Sequence, residues 1–257
     1  NKEPHVREIR YITTLAGYVH WKLTGQKVIG IGDASGMFPV DPETKDYDSN
    51  MICLFDQLIR KENYDWSLKD ILPEILTAGK NAGKLTEEGA RLLDVSGNLQ
   101  PGILLAPPEG DAQTGMMATN SVAVGTGNVS VGTSAFATII LEKKLRHAYP
   151  EIDVFTTPEG NLAANIHANN GTSDLNAWVG IFREFAECMK IETNTEELFK
   201  KLYTKALEGD YDCGELLSYG YLSGENLMNV QKGRPLFIRK PESKFTLANF
   251  IRANLFR

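Results

Sequence analysis

Cysteine is scarce in this 257-residue sequence. Cys53, Cys188 and Cys213 are odd in number, far apart and free of any Cys-x-x-Cys pairing. That speaks against a disulfide framework and for a reducing, cytoplasmic setting. No apolar run approaches bilayer length, and no signal peptide is visible. Long basic clusters are lacking too. The densest, Lys143-Lys144 with Arg146 and His147, reads as a solvated strand end, and the formal net charge is -6. Non-specific binding to nucleic acid or to a membrane is therefore disfavoured. Two nucleotide-handling signatures are absent: a complete Gly-x-x-x-x-Gly-Lys-Ser/Thr loop, and the His-Arg-Asp and Asp-Phe-Gly set of protein kinases. There is no internal repeat or low-complexity segment. His167 has no metal-ligand partner nearby in sequence, and no zinc site is expected.

What is present is ordinary in bulk. The apolar share is 42% and the charged share 23%, as in soluble globular proteins, and the length holds one large domain or two modest ones. Pattern places helices over Pro4–Leu23 (Ile9, Ile12, Ala16 and Val19 on one stripe), Ser49–Ile59, Glu87–Leu93 behind a Thr86 cap, Asp174–Met189, Thr195–Leu207 behind an Asn194 cap, and from Thr246 onward. Ser67 with Asp70 resembles a capping arrangement. Lys27–Ile31 and Ile103–Ala106 read as strands, the second buried, and Asp33-Ala34-Ser35-Gly36 as a turn. After Asn120 the chain becomes rich in Val, Thr, Ser and Gly. Two hairpins are expected there, around Gly132-Thr133-Ser134 and around Pro158–Asn161. This change of character sets a domain boundary near Asn120. Trp178 and the phenylalanines after it read as core.

Two short loops carry the chemistry. Gly110-Asp111-Ala112-Gln113 offers one carboxylate on a run of small residues, at the end of a strand and the start of a helix, a common active-site placement in α/β proteins. Ala112, Gly115 and Ala118 recur at helical spacing and let that helix press on a neighbour or a ligand. Gly132-Thr133-Ser134 offers a glycine, two hydroxyls and closely spaced N–H groups, which can nest an anion without lysine. A lone acid near a phosphate-sized loop suggests transfer of a phosphoryl group to a hydroxyl. Plainer readings stand beside these: Asp111 as the cap of its own helix, and Thr133 as a hairpin turn. Gln113 either aligns a substrate or bonds only to backbone. Asp33 reads first as structural. Asn169 and Asn170 either border a nucleotide site or serve capping and turn formation.

Taken together, Thr14–Val19 with Trp21–Gly25, Gly32–Gly36, Gly110–Gln113, Asn128–Ser134 and Tyr221–Asn226 resemble, in order and spacing, the FGGY carbohydrate kinases, nearest to their xylulokinase-like branch. The resemblance implies an α/β, actin/hexokinase-like (ribonuclease H-like) fold of two domains around a cleft. Residues 1–119 would be part of the first, sugar-binding domain, and 120–257 part of the second, nucleotide-binding one. It implies ATP and Mg2+ as cofactors, a small sugar as substrate, no nucleic-acid or membrane partner, and a homodimer. The family's catalytic aspartate falls on Asp111, with Ala112 and Gln113 beside the substrate. The phosphate-binding motif falls on Gly132, Thr133 and Ser134, with Asn169 and Asn170 bordering ATP. No metal ligand is assigned directly; Mg-ATP is expected near Asp111. A ketopentose such as xylulose is the first substrate implied, with another sugar, polyol or sugar acid as the alternative. A complete member is about twice as long. It begins with a phosphate-contacting strand-turn-strand and ends with a glycine-rich adenine wall, and neither is found between Asn1 and Arg257. The chain thus resembles the central half of such an enzyme, expected to be inactive in isolation, and a non-catalytic binding role is the remaining alternative.

Overall fold

The computed structural model describes residues 3–225 and 228–256. Asn1, Asn226 and Arg257, named above, lie outside the described residues. The elements run α1 (Leu15–Thr24), β1 (Val28–Gly30), α2 (Ile31–Met37), β2 (Val40–Asp41), β3 (Asp46–Tyr47), α3 (Ser49–Ile59), α4 (Leu68–Ile71), β4 (Glu74–Leu76), α5 (Glu87–Leu93) and α6 (Asp111–Ala118). β5 (Gly127–Val131), β6 (Ala135–Ile140), β7 (Asp153–Thr156) and β8 (Leu162–Ala168) form one sheet in the order β5-β6-β8-β7. α7 (Ser173–Cys188), α8 (Thr195–Ala206), β9 (Leu217–Tyr219), β10 (Leu236–Ile238) and α9 (Leu247–Leu255) follow. Compactness divides the chain into two units: 1–128 with 138–165, and 129–137 with 166–257. Among the described residues no helix is long and apolar enough to cross a membrane.

In the first unit β1 pairs parallel to β4, with Ile29 opposite Ile75. Ile29, Ala34 and Tyr47 are buried there against Met37, Phe38, Val40, Ile52, Leu72 and Ile75. Removing a side chain such as Ile29 from water is worth roughly 1.5–3 kcal/mol. A second cluster joins Met116 of α6 to Ile140 and Ala163, with Val122 and Phe155 against it. Capping follows the sequence at several ends. The Asp48 carboxylate accepts from Asn50 N and Met51 N at the start of α3. Thr86 Oγ1 accepts from Gly89 N at α5. The Asp70 carboxylate accepts from both Ser67 N and Ser67 Oγ at α4.

Three expectations are corrected. The helix over Pro4–Leu23 is a short 3-10 turn, Pro4–Glu8, followed by extended chain and then α1. Ile12 N donates to Ile71 O at 2.8 Å instead of to its own turn. The face of α1 that is buried is Gly17, His20 and Thr24, not the Ile-Ala-Val stripe. Ile103–Ala106 is no buried strand: Ile103 is 52% and Leu104 65% exposed. The segment pairs only loosely with 82–85, through bonds such as Leu85 N to Ile103 O. Asp33–Gly36 is not a turn but the body of α2. Nothing local caps that helix; its cap comes from residue 109.

In the second unit α7, α8 and α9 bury Val179, Leu202, Ala206, Phe250 and Ile251, with Trp178, Phe182, Leu198, Phe199, Tyr203 and Phe237 packed around them. Trp178 meets Phe250 edge-on at 5.0 Å between centroids, so it and Phe182 pack on the core as expected, whereas Phe185 does not and is 61% exposed. Asn194 caps α8 through Glu197 N, and Thr246 caps α9 through Asn249 N. The hairpin around Pro158–Asn161 is formed by β7 and β8, with Thr156 opposite Leu162.

Candidate active site

The residues singled out fall into two groups, each inside one unit. In the first, α6 begins at Asp111 with Gly110 as its N-cap and no side-chain cap bond. Asp111 therefore does not cap its own helix. Its side chain is exposed, and among the described residues its carboxylate enters no hydrogen bond or ion pair. An acid held at the first residue of a helix, with both oxygens free, is equipped to receive a proton or to face a cation. Ala112 follows it, half-buried. Gln113 is buried, 8% exposed. A Cβ added at Gly32 would stand 2.4 Å from its Cγ, and one at Gly110 3.0 Å from its Oε1.

Behind Asp111 sits a group that sequence reading passed over. The Glu109 carboxylate accepts from Gly32 N at 3.1 Å and from Asp33 N at 2.7 Å, capping α2 from 76 positions away. Two glycines make room for it. A Cβ at Gly30 would meet Glu109 Cδ at 2.3 Å and Pro108 O at 2.6 Å, and one at Gly32 would meet Glu109 Oε2 at 2.8 Å. Gly30 N also donates to Pro108 O at 2.8 Å. Thr14 Oγ1 accepts from Gly17 N, capping α1, and donates to Asp33 Oδ2 at 2.5 Å. Asp33 Oδ1 lies 3.5 Å from where a Cβ on Gly110 would stand. The local clue was the Gly-x-Gly at 30–32, which marks a close approach but not what approaches.

Burial pushes the Glu109 carboxyl up from its usual 4.5 to about 7, the Asp33 carboxylate adding to the rise and the two N–H bonds opposing it. A carboxyl raised on folding binds its proton more tightly in the native state than in the unfolded chain. Between pH 4.5 and 7 stability therefore falls as pH rises, and the loss is complete above about 7. From pH 5.5 to 8 this amounts to roughly 2 kcal/mol, or about 4–8 °C in Tm for a chain of this size. Glu109→Gln is expected to abolish that part of the slope. Parallel Tm–pH curves for the two proteins would contradict the assignment.

The second group is the turn between β5 and β6. Gly132 N donates to Ser134 O at 2.7 Å, Gly171 N to Thr133 O at 2.8 Å, and Thr172 N to Gly132 O at 2.8 Å. The carbonyls of the loop are thus turned toward 171–172. A Cβ on Gly171 would meet Gly132 O at 2.2 Å, Thr133 O at 2.8 Å and Ser134 O at 2.9 Å. With the carbonyls engaged, the Thr133 and Ser134 N–H groups and both hydroxyls have no partner among the described residues. Asn170 is tied down: its Nδ2 donates to Gly224 O at 2.8 Å and its Oδ1 accepts from Ser223 N at 2.9 Å. Asn169 N donates to the buried Glu225 carboxylate at 3.0 Å. The separated stretches 132–134, 169–172 and 223–225 are thereby brought together. Among the described residues no group of three or more His, Cys, Asp or Glu side chains converges on a point where a metal ion could be held.

Residues 127–256 match the FGGY family of carbohydrate kinases, C-terminal domain. No curated protein matches the sequence. Among solved structures, xylulose kinase from Rhodospirillum rubrum aligns with a TM-score of 0.69 at 17% identity, over 95% of this chain and 44% of that one. Gluconate kinase from Lactobacillus acidophilus gives 0.65 at 16%, over 93% and 44%. Plasmodium falciparum glycerol kinase with ADP gives 0.64 at 15%, over 98% and 46%. The chain spans less than half the length of each of these structures. The likeness is one of fold, the α/β architecture of carbohydrate kinases, related to actin and hexokinase.

Proposed function

The chain belongs to the FGGY family of carbohydrate kinases, and we propose that the protein phosphorylates a hydroxyl of a small sugar, a ketopentose such as xylulose first, at the expense of ATP. The observation that carries this reading is the turn at Gly132-Thr133-Ser134. Its carbonyls are spoken for, the Thr133 and Ser134 N–H groups and hydroxyls have no partner among the described residues, and it lies inside the matched stretch. Such a nest fits the phosphates of ATP. Asn169 and Asn170 border it, Asn170 by holding residues 223–224 in place. Bound ATP would supply the phosphoryl group, with Mg2+ held mostly by phosphate oxygens and water.

Asp111 accepts the proton of the sugar hydroxyl. The transition state of phosphoryl transfer is loose and the proton leaves late, so an ordinary carboxylate suffices and placement outweighs basicity. Ala112 and Gln113 contact the sugar beside it. Residues 1–119 take the sugar-binding part and 120–257 the nucleotide-binding part.

Xylulose, gluconate and glycerol kinases all share this fold, so the substrate is sought across pentuloses, pentoses, polyols and aldonates. The full-length protein is expected to release ADP with at least one pentulose. Turnover confined to an aldonate or a polyol would move the assignment within the family. A folded, ATP-binding protein inert to the whole panel would favour the reading as a non-catalytic binding protein.

A further inference from the structure

We infer that Glu109 is a positioning residue, which locks the loop carrying Asp111 onto the N-terminal turn of α2 and so presents Asp33 and Asp111 together on either side of Gly110. The inference rests on the kinase reading for its functional meaning, and on geometry for its structural meaning. Both Glu109 oxygens are committed to backbone donors, Gly32 N and Asp33 N. The side chain is not placed to trade protons with a substrate. It is seated by two glycines, at 30 and 32, whose missing side chains leave the space it fills. The contact is reinforced one residue earlier, where Gly30 N donates to Pro108 O.

α2 has no capping side chain of its own. Without the Glu109 carboxylate its first N–H groups have no protein acceptor in their place, and residues 107–111 lose their anchor. Asp33 is held from the other side by Thr14. The chain Thr14, Asp33, Glu109, Asp111 therefore couples the starts of α1, α2 and α6. Asp33 is the charged group that acts on Glu109, and it is an anion. Among the described residues no ion pair fixes Glu109; the two N–H bonds and the fit do.

The test uses full-length protein carrying Glu109→Gln, which is isosteric and retains one acceptor oxygen, and Gly32→Ala, which leaves Glu109 intact but crowds its Oε2 and Gln113. Each is measured by amide exchange and by kinetics. In both variants exchange is expected to rise at least about tenfold at Gly32 and Asp33, and together with them at Thr114, whose N–H closes the first turn of α6 on Gly110 O. Exchange in α7 and α8 should stay unchanged. kcat should fall by roughly 10–100-fold, the range seen when a supporting residue is lost, with KM for ATP within about twofold. Faster exchange at 32–33 alone, with Thr114 and kcat per folded molecule unchanged, would reduce Glu109 to a local cap and overturn the inference. Should the wild type turn over no sugar, the kinase reading fails, while joint or separate exchange at 32–33 and 114 still decides whether Glu109 couples the two loops.

Discussion

In the full-length protein, Asp111→Asn is expected to leave a folded enzyme whose kcat has fallen by roughly 10²–10⁴, the range for losing a positioned acid or base. That corresponds to about 3–5 kcal/mol of transition-state stabilisation. The prediction separates chemistry from folding because Asp111 does little for the fold. Its carboxylate is exposed, makes no cap bond and joins no ion pair among the described residues. Asparagine is nearly isosteric, and a surface change of this kind usually moves stability by no more than about 0.5 kcal/mol. Sugar and nucleotide affinities should stay within several-fold, since the turn at 132–134 proposed to hold the phosphates belongs to another segment. The check is kcat with direct binding of sugar and ATP for both proteins. A variant keeping more than about a tenth of the wild-type rate would remove Asp111 from the role of base.

Gly171→Ala is expected to be as damaging by a different route. Its Cβ would stand 2.2 Å from Gly132 O, and within 3 Å of the next two carbonyls. Those are backbone atoms that cannot swing aside, so the turn must move as a whole. A shift of about 1 Å at a group that orients a reactant can cost 10²-fold. We expect kcat/KM for ATP to drop by about that factor or more, chiefly through KM, with sugar affinity little changed. Circular dichroism and Tm would verify folding, and Thr133→Ala with Ser134→Ala would give the milder loss of the hydroxyls alone. A folded Gly171→Ala enzyme with normal ATP kinetics would detach this turn from nucleotide binding.

Much of the architecture was legible where the signal is local. α3 and α8 carry their apolar positions at helical spacing, and α8 its cap next door, in Asn194. The turns at 132–134 and 158–161 announce themselves by small residues between β-branched runs. What failed was fixed by residues far away in sequence. The extended stretch before α1 is held by Ile71, although its own pattern is helical. Leu104 belongs to an apolar run yet lies 65% exposed, because apolarity alone does not decide which surface a strand covers. The candidate site shows the same divide. Asp111, Gly132, Thr133 and Ser134 stand out in their own segments. Glu109 does not, since an acid after two prolines looks like any surface loop until Gly32 and Asp33 are seen to bond to it.

The long-range cap of α2 also has a timetable. A chain emerging at about 5–20 residues per second leaves roughly 4–15 s between the appearance of Gly32 and that of Glu109. During that interval the first N–H groups of α2 have only water to bond to. A seven-residue helix with a glycine at its cap and two more inside it does not persist alone. The segment from 31 to 37 is therefore born as loose chain and becomes a helix only when the loop that carries Asp111 arrives. Asp111 and the helix on which its loop is anchored come into register in a single late event during synthesis.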